Sequence, residues 1–133
     1  LAIEFRNHAW LTGRVGERTI EFLSEHRLPL VLVDGPQGME SSIPPLSAVT
    51  SARLAVLRLH GRRAETWERP NVTVAERFRY LYDTTELSEW LPGIFEAAKQ
   101  AERVHVSHNN CYANYGTTNA LEMTQLLLAA AGG

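Results

Sequence analysis

The sequence predicts an α/β fold built on a parallel sheet, and three observations carry that expectation. Short apolar runs alternate with segments of helical periodicity, the pattern that βα units with right-handed crossovers produce. Each run stops abruptly in polar or glycine-bearing residues: Arg6-Asn7-His8, Asp34-Gly35, His60-Gly61-Arg62 and Asn109-Asn110. The two longest connections both follow the carboxyl ends of strands, where parallel α/β architectures place their sites.

The first apolar run, Leu1–Phe5, reads as a strand. A helix follows over Glu17–Arg27, with Ile20, Phe22 and Leu23 as its apolar residues. Ahead of it, Gly13 and Gly16 resemble a fragment of a phosphate loop but lack its Lys and Ser/Thr, and the pair reads as a turn. The second strand is Leu30–Val33 and the third Leu54–Leu59. Between them lies a connection carrying Pro36, Gly38, Pro44 and Pro45. After the third strand comes an arginine-rich stretch from Gly61 to Arg79 with Trp67 and Pro70. Connections of this length are usually functional or disordered. The clearest helix spans Glu86–Lys99, with Leu87, Trp90, Leu91, Ile94, Phe95 and Ala98 on one stripe. Asp83 and Glu86 are spaced to cap its start reciprocally, and Pro92 must kink or restart it. The fourth strand is Val104–Val106, and Asn119 with Glu122 offers the start of a last helix.

Composition sets limits. The chain of 133 residues, 44% apolar and 21% charged, is expected to form a single α/β unit over residues 1–133. No apolar run approaches the roughly 20 residues of a membrane span. A net charge of −2 lacks the bulk positive charge of a generic nucleic-acid binder. Twelve of the thirteen cationic side chains are arginine and only Lys99 is lysine, a balance tilted toward planar, bidentate donors. The lone Cys111 forbids an internal disulfide and fits a reducing, cytoplasmic compartment.

Alternation along each strand sorts the polar groups into faces. Glu4 and Arg6 share a face of the first strand, Leu30, Leu32 and Asp34 one of the second, and Arg58 and His60 one of the third. His105, Ser107 and Asn109 share a face of the fourth. If those faces form one inner wall, Glu4, Arg6, Asp34, Arg58, His60 and Asn109 converge on one cavity. Buried charges persist only when paired, hydrated or used. One reading is a structural network pairing Glu4 with Arg58 and Asp34 with Arg6. The other is a site in which His60 moves protons with Glu4 or Asp34, while Arg6, Arg58 and Arg62 bind an anion. Tyr80, Tyr82, Asn109, Asn110 and Asn119 complete the candidate substrate-binding set. Glu4, Asp34 and His60 are also divalent-metal ligand types, which makes a divalent-metal-dependent hydrolase or isomerase an alternative reading, but no short-range spacing favours a metal and no ligand is assigned to one. The cofactor is left unassigned. The expected partner is a small polar or anionic ligand, with no membrane and with nucleic acid as the alternative ligand class.

Four strings occur in order: EFRNHAW at Glu4–Trp10, LRLHGR at Leu57–Arg62, YLYDTTELSEW at Tyr80–Trp90 and HNNCYANYGTTNA at His108–Ala120. In them the chain resembles the C-terminal half of the YecE-like family, a numbered domain of unknown function. The resemblance implies a TIM-barrel-like fold in a bacterial cytosolic protein, without an established activity. Its characteristic polar positions fall on Glu4, Arg6, Trp10, Asp34, Arg58, His60, Gly61, Tyr80, Tyr82, Asn109, Asn110 and Asn119. Asn7-His8-Ala9 departs from the family's usual His-Pro-Ser. Such a barrel needs eight βα units in about 250 residues. Four strands are half of one, so the remaining half of the barrel is expected in the same protein or from a second copy.

Overall fold

The computed structural model describes residues 1–133. Three parallel strands lie in chain order: β1 (Val31–Asp34), β2 (Ala55–Leu59) and β3 (Val104–His108). The strand count corrects the expectation of four. In the first apolar run only Ile3 pairs, in parallel with Leu30. Its amide donates to the Pro29 carbonyl at 2.8 Å, and its carbonyl accepts from Val31 at 2.8 Å. The ladder stops there because the chain turns away. Asn7 caps a 3-10 turn over His8–Trp10, accepting from the Ala9 amide at 2.9 Å, and the His8 amide bonds to the Glu40 carbonyl at 3.1 Å.

The register decides which side chains share a face. Leu32 lies beside Leu57 and Leu57 beside Val106, so these point to one side. That side is covered by helices. Leu32, Leu57 and Leu59 join Leu23, Leu87, Ile94 and Met123 in one buried cluster. Burying each such side chain contributes roughly 1.5–3 kcal/mol. Val33 lies beside Arg58 and Arg58 beside Ser107, and these point to the opposite side. On that side His105 and Ser107 of β3 are exposed and Arg58 is half-buried. The second face is therefore mixed: Val31 and Val33 of β1 and His60 beyond β2 are buried on it, and it is polar and open at β3.

The helices depart from expectation in instructive ways. Helix α1 covers Gly13–Glu25, so the two glycines lie in its first turn rather than in a separate turn ahead of it. A Cβ on Gly16 would come within 2.5 Å of the Leu11 backbone, and only glycine lets the helix lie against that segment. The connection from Gly61 to Arg79 contains two single-turn helices, α2 (Ala64–Trp67) and α3 (Val74–Arg77). The long predicted helix is two, α4 (Thr84–Ser88) and α5 (Leu91–Gln100). Asp83 and Glu86 form the reciprocal cap at α4. Pro92 sits in the first turn of α5, where its missing N–H removes no helical hydrogen bond, so the chain restarts there. The last helix, α6 (Tyr115–Gly132), begins before Asn119, which is buried within it rather than capping its start. No helix is long and apolar enough to cross a membrane.

Candidate functional site

The polar residues singled out in the sequence gather at the carboxyl end of the sheet, but in three networks rather than one cavity. The first lies on the open face. Glu4, the residue after the Ile3 bridge, points toward β2, where Arg58 Nη1 donates to its Oε2 at 2.5 Å. His60 Nε2 lies 3.1 Å and Arg6 Nη2 3.0 Å from its other oxygen. Arg58 Nη2 donates to Asn109 Oδ1 at 2.8 Å, and Asn109 Nδ2 lies 3.2 Å from His60 Nδ1. Arginine can only donate, so Asn109 must turn its oxygen to Arg58 and its NH2 to His60. His60 Nδ1 then accepts, and Nε2 carries the proton donated to Glu4. Burial pushes the Glu4 carboxyl up, but the hydrogen bonds from His60 and Arg58 and the Arg6 charge outweigh it and hold its pKa at about 2. The His60 side chain is 0% exposed and both its nitrogens are engaged.

The second network sits on the opposite side, which corrects the expected convergence. Asp34 follows Leu32 on the helix-covered face because the register sets it beside Leu59, not beside Arg58. Its partner is Arg62 rather than Arg6. Arg62 donates to the carboxylate through Nε at 3.0 Å and Nη2 at 2.7 Å. The Tyr82 hydroxyl and the Trp90 indole each donate to Asp34 at 2.6 Å. Gly61, at φ 93°, sends its amide to the Tyr82 hydroxyl at 2.8 Å. A Cβ there would meet Tyr80 Cβ at 2.6 Å, so the turn requires glycine. Arg62 also reaches Glu89 at 2.8 Å. The Asp34 hydrogen bonds raise the Arg62 pKa, and burial followed by the Asp34 charge raises that of Tyr82. Arg58 and Arg62 are thus committed to different carboxylates and form no joint clamp.

The third network is structural. Asn119 Oδ1 accepts from the Tyr82 amide at 3.0 Å, and its Nδ2 donates to the Tyr82 carbonyl at 2.9 Å, in the manner of a paired strand. Asn110 Nδ2 donates to Asn119 Oδ1 and to the Tyr80 carbonyl, both at 2.8 Å. Both asparagine side chains are fully buried, so they hold the Tyr80–Tyr82 segment rather than face a ligand. Tyr80 donates to Glu86, and burial together with that carboxylate raises its pKa.

Only the first network has an open cavity beside it with donors to spare. Trp67 and Phe78 pack on His60, with ring centroids 5.9 Å and 5.7 Å away. A cavity of about 360 Å³ is lined by Arg6, Ser41, Trp67, Glu68, Arg77 and Phe78. The Arg6 side chain is 61% exposed and pairs with Glu4 through one nitrogen, leaving its other donors available. A larger cleft of about 560 Å³ runs beside Asp34, Arg62, Glu89 and Trp90, where the polar groups already satisfy one another. Glu4 and His60 stand apart from Asp34, and no three His, Cys, Asp or Glu side chains meet at metal-binding distance. Trp67, Phe78 and Arg77 escaped the sequence reading as site residues. The one signal was the tryptophan in an arginine-rich connection. Trp90 was read only as part of an apolar stripe, although a buried indole N–H needs an acceptor.

A family model described as "Protein of unknown function DUF72" matches residues 1–132. The UPF0759 protein YunF of Bacillus subtilis (strain 168) is 30% identical over 129 residues, covering 95% of this chain and 46% of that protein. The crystal structure of a DUF72 family protein from Enterococcus faecalis V583 superposes with a TM-score of 0.86 at 31% identity, over 96% of this chain and 46% of that one. A DUF72 family protein from Thermotoga maritima MSB8 gives a TM-score of 0.84 at 31% identity over the same shares. The chain thus spans about half the length of the relatives it matches. The matches carry the DUF72 designation rather than the narrower YecE-like name.

Proposed function

The chain belongs to the DUF72 family, proteins of unknown function, and from that premise we propose that the open face of its sheet binds a small polar or anionic substrate. The family designation carries no reaction, so the chemistry rests on the residues. In this reading Arg6 and Arg77 supply the anion contacts and Trp67 and Phe78 the apolar walls, while Glu4 holds Arg6 and His60 packs behind the two rings. The observation that carries it is Arg6, a largely exposed guanidinium with unused donors at the rim of a cavity of about 360 Å³. Nucleic acid is the competing ligand class.

Turnover by acid–base chemistry is a second reading, favoured by the hydrogen bond between His60 Nε2 and Glu4 Oε1, along which a proton can pass. A carboxylate held at about 2 is a weak base at neutral pH, and His60 has no nitrogen free, so binding has the stronger support. The finer architecture belongs to the same proposal. The open polar face and parallel strands support a YecE-like, TIM-barrel-like sheet contributed in part by this chain. The rest comes from elsewhere in the same protein or from a second copy. A cytoplasmic location is proposed on the exposed free thiol of Cys111.

Trp67 supplies the readout. Titrating the protein with small dicarboxylates and phosphomonoesters is expected to change its tryptophan emission, and Trp67→Phe is expected to abolish that change. Arg6→Gln is expected to weaken binding about tenfold, the loss of one bidentate charge-assisted contact. If no such ligand alters the Trp67 emission, or if Arg6→Gln binds as tightly as wild type, the site is elsewhere.

A further inference from the structure

Three loops enter the strands at the end of the sheet opposite the Glu4 network, and each carries an arginine. Arg27 precedes β1, Arg53 precedes β2 and Arg103 precedes β3. Hydrogen bonds bind the loops in series. Thr50 Oγ1 donates to the Leu28 carbonyl at 2.6 Å and accepts from the Leu30 amide at 2.8 Å. The Glu102 amide donates to the Ala52 carbonyl at 2.9 Å, and the Ala55 amide to the Arg103 carbonyl at 2.9 Å. The three arginines are thereby brought around one cavity of about 340 Å³, which Ser51, Glu102 and His105 also line.

None of these three guanidiniums has a carboxylate within ion-pair distance, a state they share with Arg14, Arg18, Arg69 and Arg77; what sets them apart is that all three line one cavity. Glu102 is the one acid lining the cavity, and it pairs with none of them. Three cations against one anion in a concave space leave a positive potential. Helix α1 ends with the Leu28 amide bonded to the Leu23 carbonyl at 2.9 Å and the Arg27 amide to the Ser24 carbonyl at 3.1 Å. This is a Schellman ending, and Arg27 occupies its left-handed position at φ 53°. Glycine is the unstrained residue there, so replacing Arg27 by glycine relieves the backbone while removing the guanidinium.

We propose that this cavity, distinct from the Glu4 site, binds a small multivalent phosphate anion through Arg27, Arg53 and Arg103. The planar guanidinium fork matches phosphoryl oxygens two at a time. Three such forks suit an anion of two linked phosphoryl groups better than a single carboxylate. The same chemistry is presented by free pyrophosphate and by the diphosphate of a nucleotide.

Calorimetric titration of the protein with pyrophosphate at low salt tests this. The expected result is saturable binding that weakens as sodium chloride is raised. Arg53→Gln and Arg103→Gln should each reduce affinity at least about fivefold. Glu102→Gln should tighten binding. Arg27→Gly is the decisive variant, because it removes the guanidinium while relieving the backbone. It should bind pyrophosphate at least about fivefold more weakly with an undiminished Tm. Repeating the titrations on an Arg6→Gln background removes the anion contact of the other cavity, and the losses in the Arg27, Arg53 and Arg103 variants should be the same on that background as in the wild type; losses that disappear on it would assign the binding to the Arg6 cavity and overturn the proposal. ADP binding tighter than pyrophosphate would assign the ligand to nucleotides, and equal or weaker binding to free phosphate. Absence of binding at millimolar pyrophosphate, or equal loss when Arg14 and Arg18 on the exposed face of α1 are replaced instead, overturns the proposal.

Discussion

Glu4 is a carboxylate held by three donors, and its titration is therefore coupled to folding. Its pKa falls from an ordinary 4.5 to about 2 on folding. The folded state thus binds the proton less readily than the unfolded chain. The stabilisation is complete above about pH 4.5 and is lost as pH falls through about 2, and it amounts to about 3 kcal/mol. Urea denaturation between pH 6 and pH 2 is expected to show this loss. In Glu4→Gln that part of the pH dependence should vanish, with lower stability at neutral pH because Arg58 and Arg6 lose their partner. An unchanged acid profile in the variant would show that Glu4 is not the group responsible. His60 was legible as a polar residue near the carboxyl end of a strand. Its role was not, because both partners of its ring come from distant segments, Glu4 and Asn109.

At the scale of elements, most of the α/β alternation could be read locally, and the exceptions share one cause. Apolar runs of β-branched and leucine residues mark β1, β2 and β3 because burial needs no partner to be named. The Asp83–Glu86 cap was equally readable, since both halves lie within one helical turn. Asn119 was misread as a helix start because its partner is the Tyr82 backbone, 37 residues away. It fastens the Tyr80–Tyr82 segment to α6 with two hydrogen bonds made by one amide. Asn119→Ala leaves the buried Tyr82 N–H and C=O unpaired and is expected to destabilise the protein by about 2–4 kcal/mol. Hydrogen exchange at the Tyr82 amide should accelerate beyond the change in global stability. An exchange rate that follows global stability alone would place the anchor elsewhere. Gly16 makes the same point sterically, for its necessity comes from the Leu11 backbone rather than from any motif it shares with Gly13.

For the whole molecule, the sheet is covered by helices on one side, while the other side is buried at β1 and exposed at β3. The strand β3 pairs only with β2, so its outer edge presents unpaired backbone groups. Such an edge invites another strand. The proposed completion of the sheet gives a direct expectation: on its own, this chain should sediment as a dimer or larger species at micromolar concentration. A stable monomer would rule out pairing with a second copy. The relatives' greater length is consistent with the other source of strands, within one longer protein.

The residue order alone was sufficient for an α/β arrangement with parallel strands and for the polar residues at strand ends, because hydrophobic period and strand termination are local properties; of the two ion pairs it suggested, Glu4–Arg58 forms and Asp34–Arg6 does not. It could not place Asp34. Period two says only that Asp34 shares a face with Leu32, and pairing with β2 is what turns that face toward the helices. A shift of one residue in that pairing would exchange the faces, carrying Asp34 to the open side. Tertiary register thus separated two charge networks that look like one in the sequence, and it left Arg6 rather than Arg62 facing solvent with donors to offer.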